Sequence, residues 1–130
     1  MRVFFVLILA IFSFSLADVV FKPTKNVFKE GEKICFSLKN DTNKIIYLPS
    51  SAPWVVFDKE GKVLYSPVAI QKIVKLKPKS EKKWCWNQKN FKNENVLSGE
   101  YKVRLTIFED GKRKFLSFNV KVQPYYKNGK

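Results

Sequence analysis

The 130-residue chain contains no histidine, only five glycines and two cysteines, and 11 acidic residues against 25 lysines and arginines. Without histidine, neither a Ser-His nor a Cys-His nucleophile can be activated, and zinc sites that use imidazole are excluded. Two cysteines alone cannot close a structural zinc site. The glycines are isolated, so no glycine-rich phosphate loop is present. The sequence therefore predicts a protein that is not an enzyme and that holds no metal or cofactor.

The 11 carboxylates are scattered along the chain, and four of them lie in two predicted turns. Asp58 and Glu60 share the segment "DKEG", and Glu109 and Asp110 share "EDG". Solvated turn chemistry explains both pairs better than the paired acids of a glycosidase. A calcium loop needs more oxygen ligands at close spacing than "DKEG" supplies.

A long hydrophobic run is found at the N-terminus and nowhere else. Residues 1–17, "MRVFFVLILAIFSFSLA", combine a basic Arg2, an apolar stretch and a small-residue pattern that ends at Ala17. This is typical of a cleaved secretory signal peptide. It predicts a secreted or periplasmic protein whose residues 18–130 form a single domain. Contact with a membrane is expected only where an uncleaved signal segment remains.

The formal net charge is +14. Such a surface favours anionic partners, among them components of the cell envelope and acidic proteins. A lysine-rich composition inherited from the source is the alternative explanation, because the lysines are dispersed and form no basic tail. In "YKVRLTIF" (101–108) alternation is expected to separate aromatic from basic side chains, so specific nucleic-acid binding is not predicted.

Alternation with a period of two residues dominates the rest of the chain, and no segment has helical periodicity. Strands are predicted near 18–22, 26–28, 33–40, 44–50, 72–78 and 81–88, with hairpins at "DKEG" and "EDG". Short strands separated by turn residues predict an all-β fold, an immunoglobulin-like antiparallel β-sandwich of about 7–9 strands.

The order of motifs over residues 30–108 resembles the intracellular proteinase inhibitor (BsuPI-like) domains and related immunoglobulin-like modules. The matching positions are Asn40, Asp58, Gly61, Tyr65, Leu76, Pro78, Trp86, Gly99, Tyr101 and Val103. Lys79 departs from the family, which usually has a turn glycine there, and the predicted signal peptide departs from an intracellular role. The resemblance implies the fold first and proteinase inhibition as one hypothesis for the function.

In "KKWCWNQ" (82–88) the parity of the strand turns Trp84 and Trp86 toward the core and Cys85 outward. In "KICFSLK" the same parity leaves Cys35 outward. In an immunoglobulin-like order these strands are neighbours B and E, so a Cys35–Cys85 disulfide is expected. A redox-active dithiol and two free thiols are the alternatives.

Two further features bear on packing and binding. Tyr101, after Gly99, occupies the position of a tyrosine corner. The segment 47–54 contains a proline- and serine-bearing loop, and its candidate partner contacts are Tyr47, Leu48, Pro49 and Trp54, with core packing as the alternative for the tryptophan. The leading hypothesis is an exported, non-catalytic module that binds a protein, with a protease as one class of partner. The alternative is attachment to an anionic envelope component through the basic surface.

Overall fold

The computed structural model describes residues 18–125, and this part of the chain consists of β-strands, turns and loops without a helix. Ten strands are present here, slightly more than the sequence predicts, because short segments beside the loops also pair. Their bounds are β1 Val19–Pro23, β2 Val27–Lys29, β3 Ile34–Asn40, β4 Ile46–Leu48, β5 Trp54–Asp58, β6 Val63–Tyr65, β7 Val74–Leu76, β8 Glu81–Trp86, β9 Gly99–Glu109 and β10 Lys112–Gln123. The predicted signal peptide lies outside the described residues, and the domain bounds 1–17 and 18–130 stay predictions.

The strands form two sheets. The small sheet has the order β1-β3-β8, and all its pairs are antiparallel. In the large sheet β2, β10 and β9 lie side by side; β4 and β5 follow each other along the far side of β9, with β7 beside β4 and β6 beside β5. Immunoglobulin-like domains divide strands A, B and E from strands C, F and G in this way. The predicted fold class is confirmed, with one parallel pair, β2–β10, within the described residues.

The core between the sheets follows the predicted alternation. Ile34, Phe36 and Leu38 of β3 and Val103, Leu105 and Ile107 of β9 belong to one core cluster, and all six are buried. Each such side chain contributes about 1.5–3 kcal/mol through its removal from water. Phe36 lies at the centre of an aromatic cluster, with its ring centroid 5.1 Å from that of Trp54 and 5.4 Å from that of Phe118.

The hairpin between β9 and β10 fixes the register of the large sheet. Its loop is the two-residue pair Asp110 and Gly111, which have φ values of 55° and 75°. Both values are positive, as a type I′ turn requires, and this turn matches the twist of the strands that it joins. The hairpin predicted at "EDG" is therefore confirmed.

A buried amide ties the end of β3 to the other sheet. The Asn40 side chain is fully buried, and its Nδ2 donates to the carbonyls of Lys44 and Leu76 at 2.7 and 2.9 Å. Its Oδ1 accepts bonds from the backbone N–H and the hydroxyl of Thr42. The amide thus satisfies backbone groups where β3 leads into the next connection.

Lys79, which stands where the resembled family usually has a turn glycine, lies in the turn before β8. Ser80 N–H donates to the Lys77 carbonyl at 3.1 Å, and Lys79 has a φ of 69°. A turn with proline at its second position and a positive φ at its third is of type II, which favours glycine at the third. Lys79 therefore holds a left-handed conformation that costs about 1–2 kcal/mol in an L-residue.

Candidate binding surface

The two cysteines form a disulfide and not a reactive site. Cys35 and Cys85 are register partners on the antiparallel pair β3–β8, and their sulfurs are bonded. Both lie on the outer face of the small sheet, as parity predicts. The bond leaves no free thiol in the described part of the chain. Its location in the middle of a sheet makes it a link between strands.

The tryptophans of β8 serve as anchors. Trp86 is buried, and its Nε1 donates to the Lys89 carbonyl at 2.9 Å. Trp84 is half-buried, and its Nε1 donates to the Ser51 carbonyl at 3.0 Å. The second bond crosses from the small sheet to the loop between β4 and β5. It therefore fixes the segment in which the sequence places candidate contacts.

The structure divides the four candidate contact residues. Leu48 and Trp54 are 0% and 4% exposed, so they cannot touch a partner of the folded domain, and for them the contact hypothesis is wrong. Both belong to strands whose inward positions they occupy, β4 and β5. Tyr47 is 38% exposed on the outer face, and Pro49 is partly exposed. These two remain candidates.

A second loop, 66–73, lies beside the first and carries three exposed aliphatic side chains. Val68, Ile70 and Ile73 are 104%, 68% and 68% exposed. Ser51 and Ile70 join the loops, because the N–H of Ser51 donates to the Ile70 carbonyl at 3.2 Å and the N–H of Ile70 to Ser51 Oγ at 3.1 Å. We call the segments 49–53 and 66–73 the apolar loop pair.

Sequence reasoning missed this second loop. It predicts a strand over 72–78, but the strand is restricted to Val74–Leu76, and Ile73 lies outside it. The available signal was the group of aliphatic residues that follows Pro67, namely Val68, Ala69, Ile70 and Ile73. Apolar residues that stay exposed together in the folded chain are typical of a contact surface.

The chain segments that contain the loop pair carry charges of one sign. Segments 42–57 and 62–80 contain no aspartate or glutamate. Their cations are Lys44, Lys62, Lys72, Lys75, Lys77 and Lys79. Lys44 pairs with Asp110 at 3.1 Å. The surroundings of the loop pair therefore suit a partner with an apolar contact and acidic groups around it.

Tyr101 forms the predicted tyrosine corner. Its ring is buried against Trp86, with the centroids 5.8 Å apart, and its hydroxyl donates to the Leu97 carbonyl four residues earlier. Burial raises the pKa of Tyr101 above its usual value, and the charges of Asp58 and Glu30 add to the rise. Its role is to anchor the loop that leads into β9.

On the outer face of the large sheet, aromatic and basic side chains lie together. Arg104 lies between the rings of Phe57 and Phe115, with its Cζ 5.0 and 4.5 Å from their centroids. Within β9 the predicted separation holds for Tyr101, which is buried, but Phe108 shares its face with Arg104. The expectation that aromatics and cations separate is wrong for this face, because Phe108 has the same parity as Arg104 and neighbouring strands supply two further rings.

No group of three or more histidine, cysteine, aspartate or glutamate side chains in residues 18–125 is placed to hold a metal ion. No helix in that range is long and apolar enough to cross a membrane.

No family model matches the chain, and no curated protein is significantly similar to it. Among solved structures, it is similar to the ASH/PapD-like domain 7 of human CEP192, with 18% identity over 86% of this chain and 88% of that one and a TM-score of 0.44. The alkylpurine DNA glycosylase AlkC of Pseudomonas fluorescens matches at 14% identity and a TM-score of 0.46, over 82% of this chain and 31% of its own. A β-glucosidase from Listeria innocua matches at 18% and 0.39, over 85% and 16%. Similarities at these identities and TM-scores support no inference about function. The assignment of an immunoglobulin-like fold rests on the strand order and pairing.

Proposed function

We propose that this protein is an exported, non-catalytic binding module that holds a protein partner on the apolar loop pair. The observation that carries the proposal is the exposure of Val68, Ile70 and Ile73 on one loop. Exposed aliphatic groups cost free energy in water, and burial against a partner recovers it. Tyr47 and Pro49 extend the surface toward β4.

The loop pair is suited to binding because its backbone is held in place. The Ser51–Ile70 hydrogen bonds and the bond from Trp84 fix both loops on the edge of the sandwich. A contact surface that is already ordered loses less conformational entropy when it binds. A protease is one class of partner, which the loops would inhibit by blocking access to its cleft.

Export is supported by the Cys35–Cys85 bond. Disulfides form and persist in oxidising compartments and are rare in reducing ones. Together with the signal peptide predicted at residues 1–17, this favours a secreted or periplasmic location.

The test is site-specific cross-linking followed by a binding measurement. A photo-activated amino acid at position 68 is expected to capture one major protein from the exporting cell's envelope or medium, whereas the same group at position 97 captures none. Leu97 is a matched position because it is 77% exposed and lies on another loop.

The captured protein, once purified, is titrated with the unmodified domain and two variants. Ile70→Glu places a charge in the proposed contact and is expected to weaken binding by more than about tenfold. Leu97→Glu carries the same charge change and is expected to leave the affinity within about twofold. Equal affinities for Ile70→Glu and the wild type would overturn the proposal.

A further inference from the structure

The outer face of the large sheet carries a second surface, distinct from the apolar loop pair. The side chains that point outward here come from the middle strands β5, β9 and β10. Register places Val55, Arg104 and Ser117 in one row and Phe57, Lys102 and Asn119 in the next. Phe115 pairs with Thr106, in the row that lies on the opposite side of Arg104 from the row of Phe57. Arg104 therefore lies diagonally between the two phenyl rings.

The guanidinium of Arg104 is held in place but not neutralised. Phe57 and Phe115 flank it at 5.0 and 4.5 Å, and its Nε is buried without a hydrogen-bond partner in residues 18–125. The ion pairs in that range involve other cations, namely Lys25, Lys44 and Lys114. The rings thus flank the guanidinium on the sheet, and within the described residues its charge forms no ion pair with a carboxylate.

Other cations extend this charge across the sheet. Lys102 Nζ lies 6.0 Å from the Phe57 ring, and Arg113 Cζ lies 5.5 Å from the Phe115 ring. Lys102 and Arg104 are two residues apart on one strand, a spacing of about 6.8 Å. A groove of about 460 Å³ runs past Phe57, Lys102, Arg104 and Asn119.

Carboxylates are found at one end of this groove. Asp58 and Glu100 line it there. The Asp58 carboxylate accepts hydrogen bonds from the N–H groups of Glu60 and Lys62, both at 2.9 Å, so it stabilises the turn between β5 and β6. The cations Lys102, Arg104 and Arg113 therefore set the charge on the rest of the face.

The geometry points to a site for a linear polymer that carries a phosphate in each repeating unit, with Arg104 as the fork that binds one phosphate and Lys102 and Arg113 beside it. A planar guanidinium binds phosphate through two parallel hydrogen bonds. The face offers a partner side-chain cations and rings, because the backbone groups of β9 are paired with strands on both sides. An extended acidic peptide would leave its own backbone groups unpaired against this face, and that costs free energy.

The test uses inorganic polyphosphate and the full mature chain at several salt concentrations. Arg104→Gln is expected to weaken binding about tenfold and to reduce the slope of log K against log salt by about 1. Arg104→Lys keeps the charge but loses the fork, and it is expected to weaken binding about threefold or more. Lys83→Gln is the matched control, because Lys83 is exposed on the outer face of the small sheet.

Three results would overturn the inference. One is an equal loss for Arg104→Gln and Lys83→Gln, which would mean diffuse attraction to a basic protein. Another is an Arg104→Lys variant that binds as tightly as the wild type. The third is tighter binding of polyglutamate than of polyphosphate at equal charge, which would favour an acidic peptide. Far-UV circular dichroism of each variant verifies that the fold is retained.

Discussion

On the outer face of the small sheet, the disulfide lies among Lys22, Ser37, Lys39 and Lys83, and the strand residues of β1, β3 and β8 that point outward include no aromatic side chain. On the outer face of the large sheet, Arg104, Lys102 and Arg113 lie against phenyl rings. Both faces are basic, but among residues 18–125 the outward cations that lie against phenyl rings are on the second. The comparison indicates that the small sheet stabilises the domain, while the large sheet and its loops carry the two surfaces proposed for binding.

The largest effect is expected from the small sheet. Replacing Cys35 and Cys85 together by alanine opens a link between residues separated by 50 positions. The chain-entropy model gives a loss of about 4 kcal/mol in the free energy of unfolding. Urea unfolding of the wild type and the double variant measures this loss. The affinity of the folded variant for polyphosphate should stay within about twofold of the wild-type affinity. An unchanged free energy of unfolding, or a lost affinity, would contradict the assignment of stability to the small sheet and of binding to the large one.

A smaller effect is expected at the inner side of the large sheet. Tyr101→Phe removes the hydroxyl that donates to the Leu97 carbonyl and should cost about 1–2 kcal/mol in the free energy of unfolding. Tyr47→Phe is the matched control, because Tyr47 is partly exposed on the outer face of the same sheet. A loss of the same size in both variants would argue against the tyrosine corner.

The raised pKa of Tyr101 also predicts that the free energy of unfolding depends on pH. Because the folded-state pKa of Tyr101 is raised, its contribution to stability is present below the unfolded value of about 10 and is lost as the pH rises through the folded pKa. Unfolding by urea between pH 8 and 11.5 should show a decline that is less steep in Tyr101→Phe than in the wild type. Identical slopes in the two proteins would contradict the assignment.

The smallest effect is expected in the turn that leads into the small sheet. Lys79→Gly relieves the left-handed conformation at φ 69° and should raise the free energy of unfolding by about 0.5–1 kcal/mol, after the entropy cost of glycine is subtracted. Lys77→Gly is the control in the same turn. Because Lys77 does not have a positive φ, this variant should lower the free energy of unfolding by about 0.5 kcal/mol. Thermal unfolding distinguishes the two, and a destabilised Lys79→Gly would exclude strain at this position.

Much of the fold could be predicted because strand parity is a local property. The inward positions of β3 and β8 followed from alternation alone, and with the expected strand order they placed Cys35 opposite Cys85. The tyrosine corner at Tyr101 could also be predicted locally, from the position of this residue after Gly99. Trp54 was harder, since a residue after a loop has no alternating neighbours on one side to show which way it points.

The binding surfaces could be predicted less well because they depend on register and on loop placement. Phe57 and Phe115 meet Arg104 only through the pairing of three strands, which no single segment encodes. The exposure of Val68 depends on how loop 66–73 rests on Ser51, a contact across 19 positions. Parity along β9 alone places Phe108 on the face of Arg104, but the rings of Phe57 and Phe115 come from neighbouring strands, which no reasoning about one strand can supply.

Binding of a protein partner by the apolar loop pair can be measured in one titration. The partner captured at position 68 is titrated by calorimetry with the wild type, Ile70→Glu and Leu97→Glu. We expect an affinity loss of more than about tenfold for Ile70→Glu and a change within about twofold for Leu97→Glu. Equal affinities in all three proteins, or a loss confined to Leu97→Glu, would contradict it.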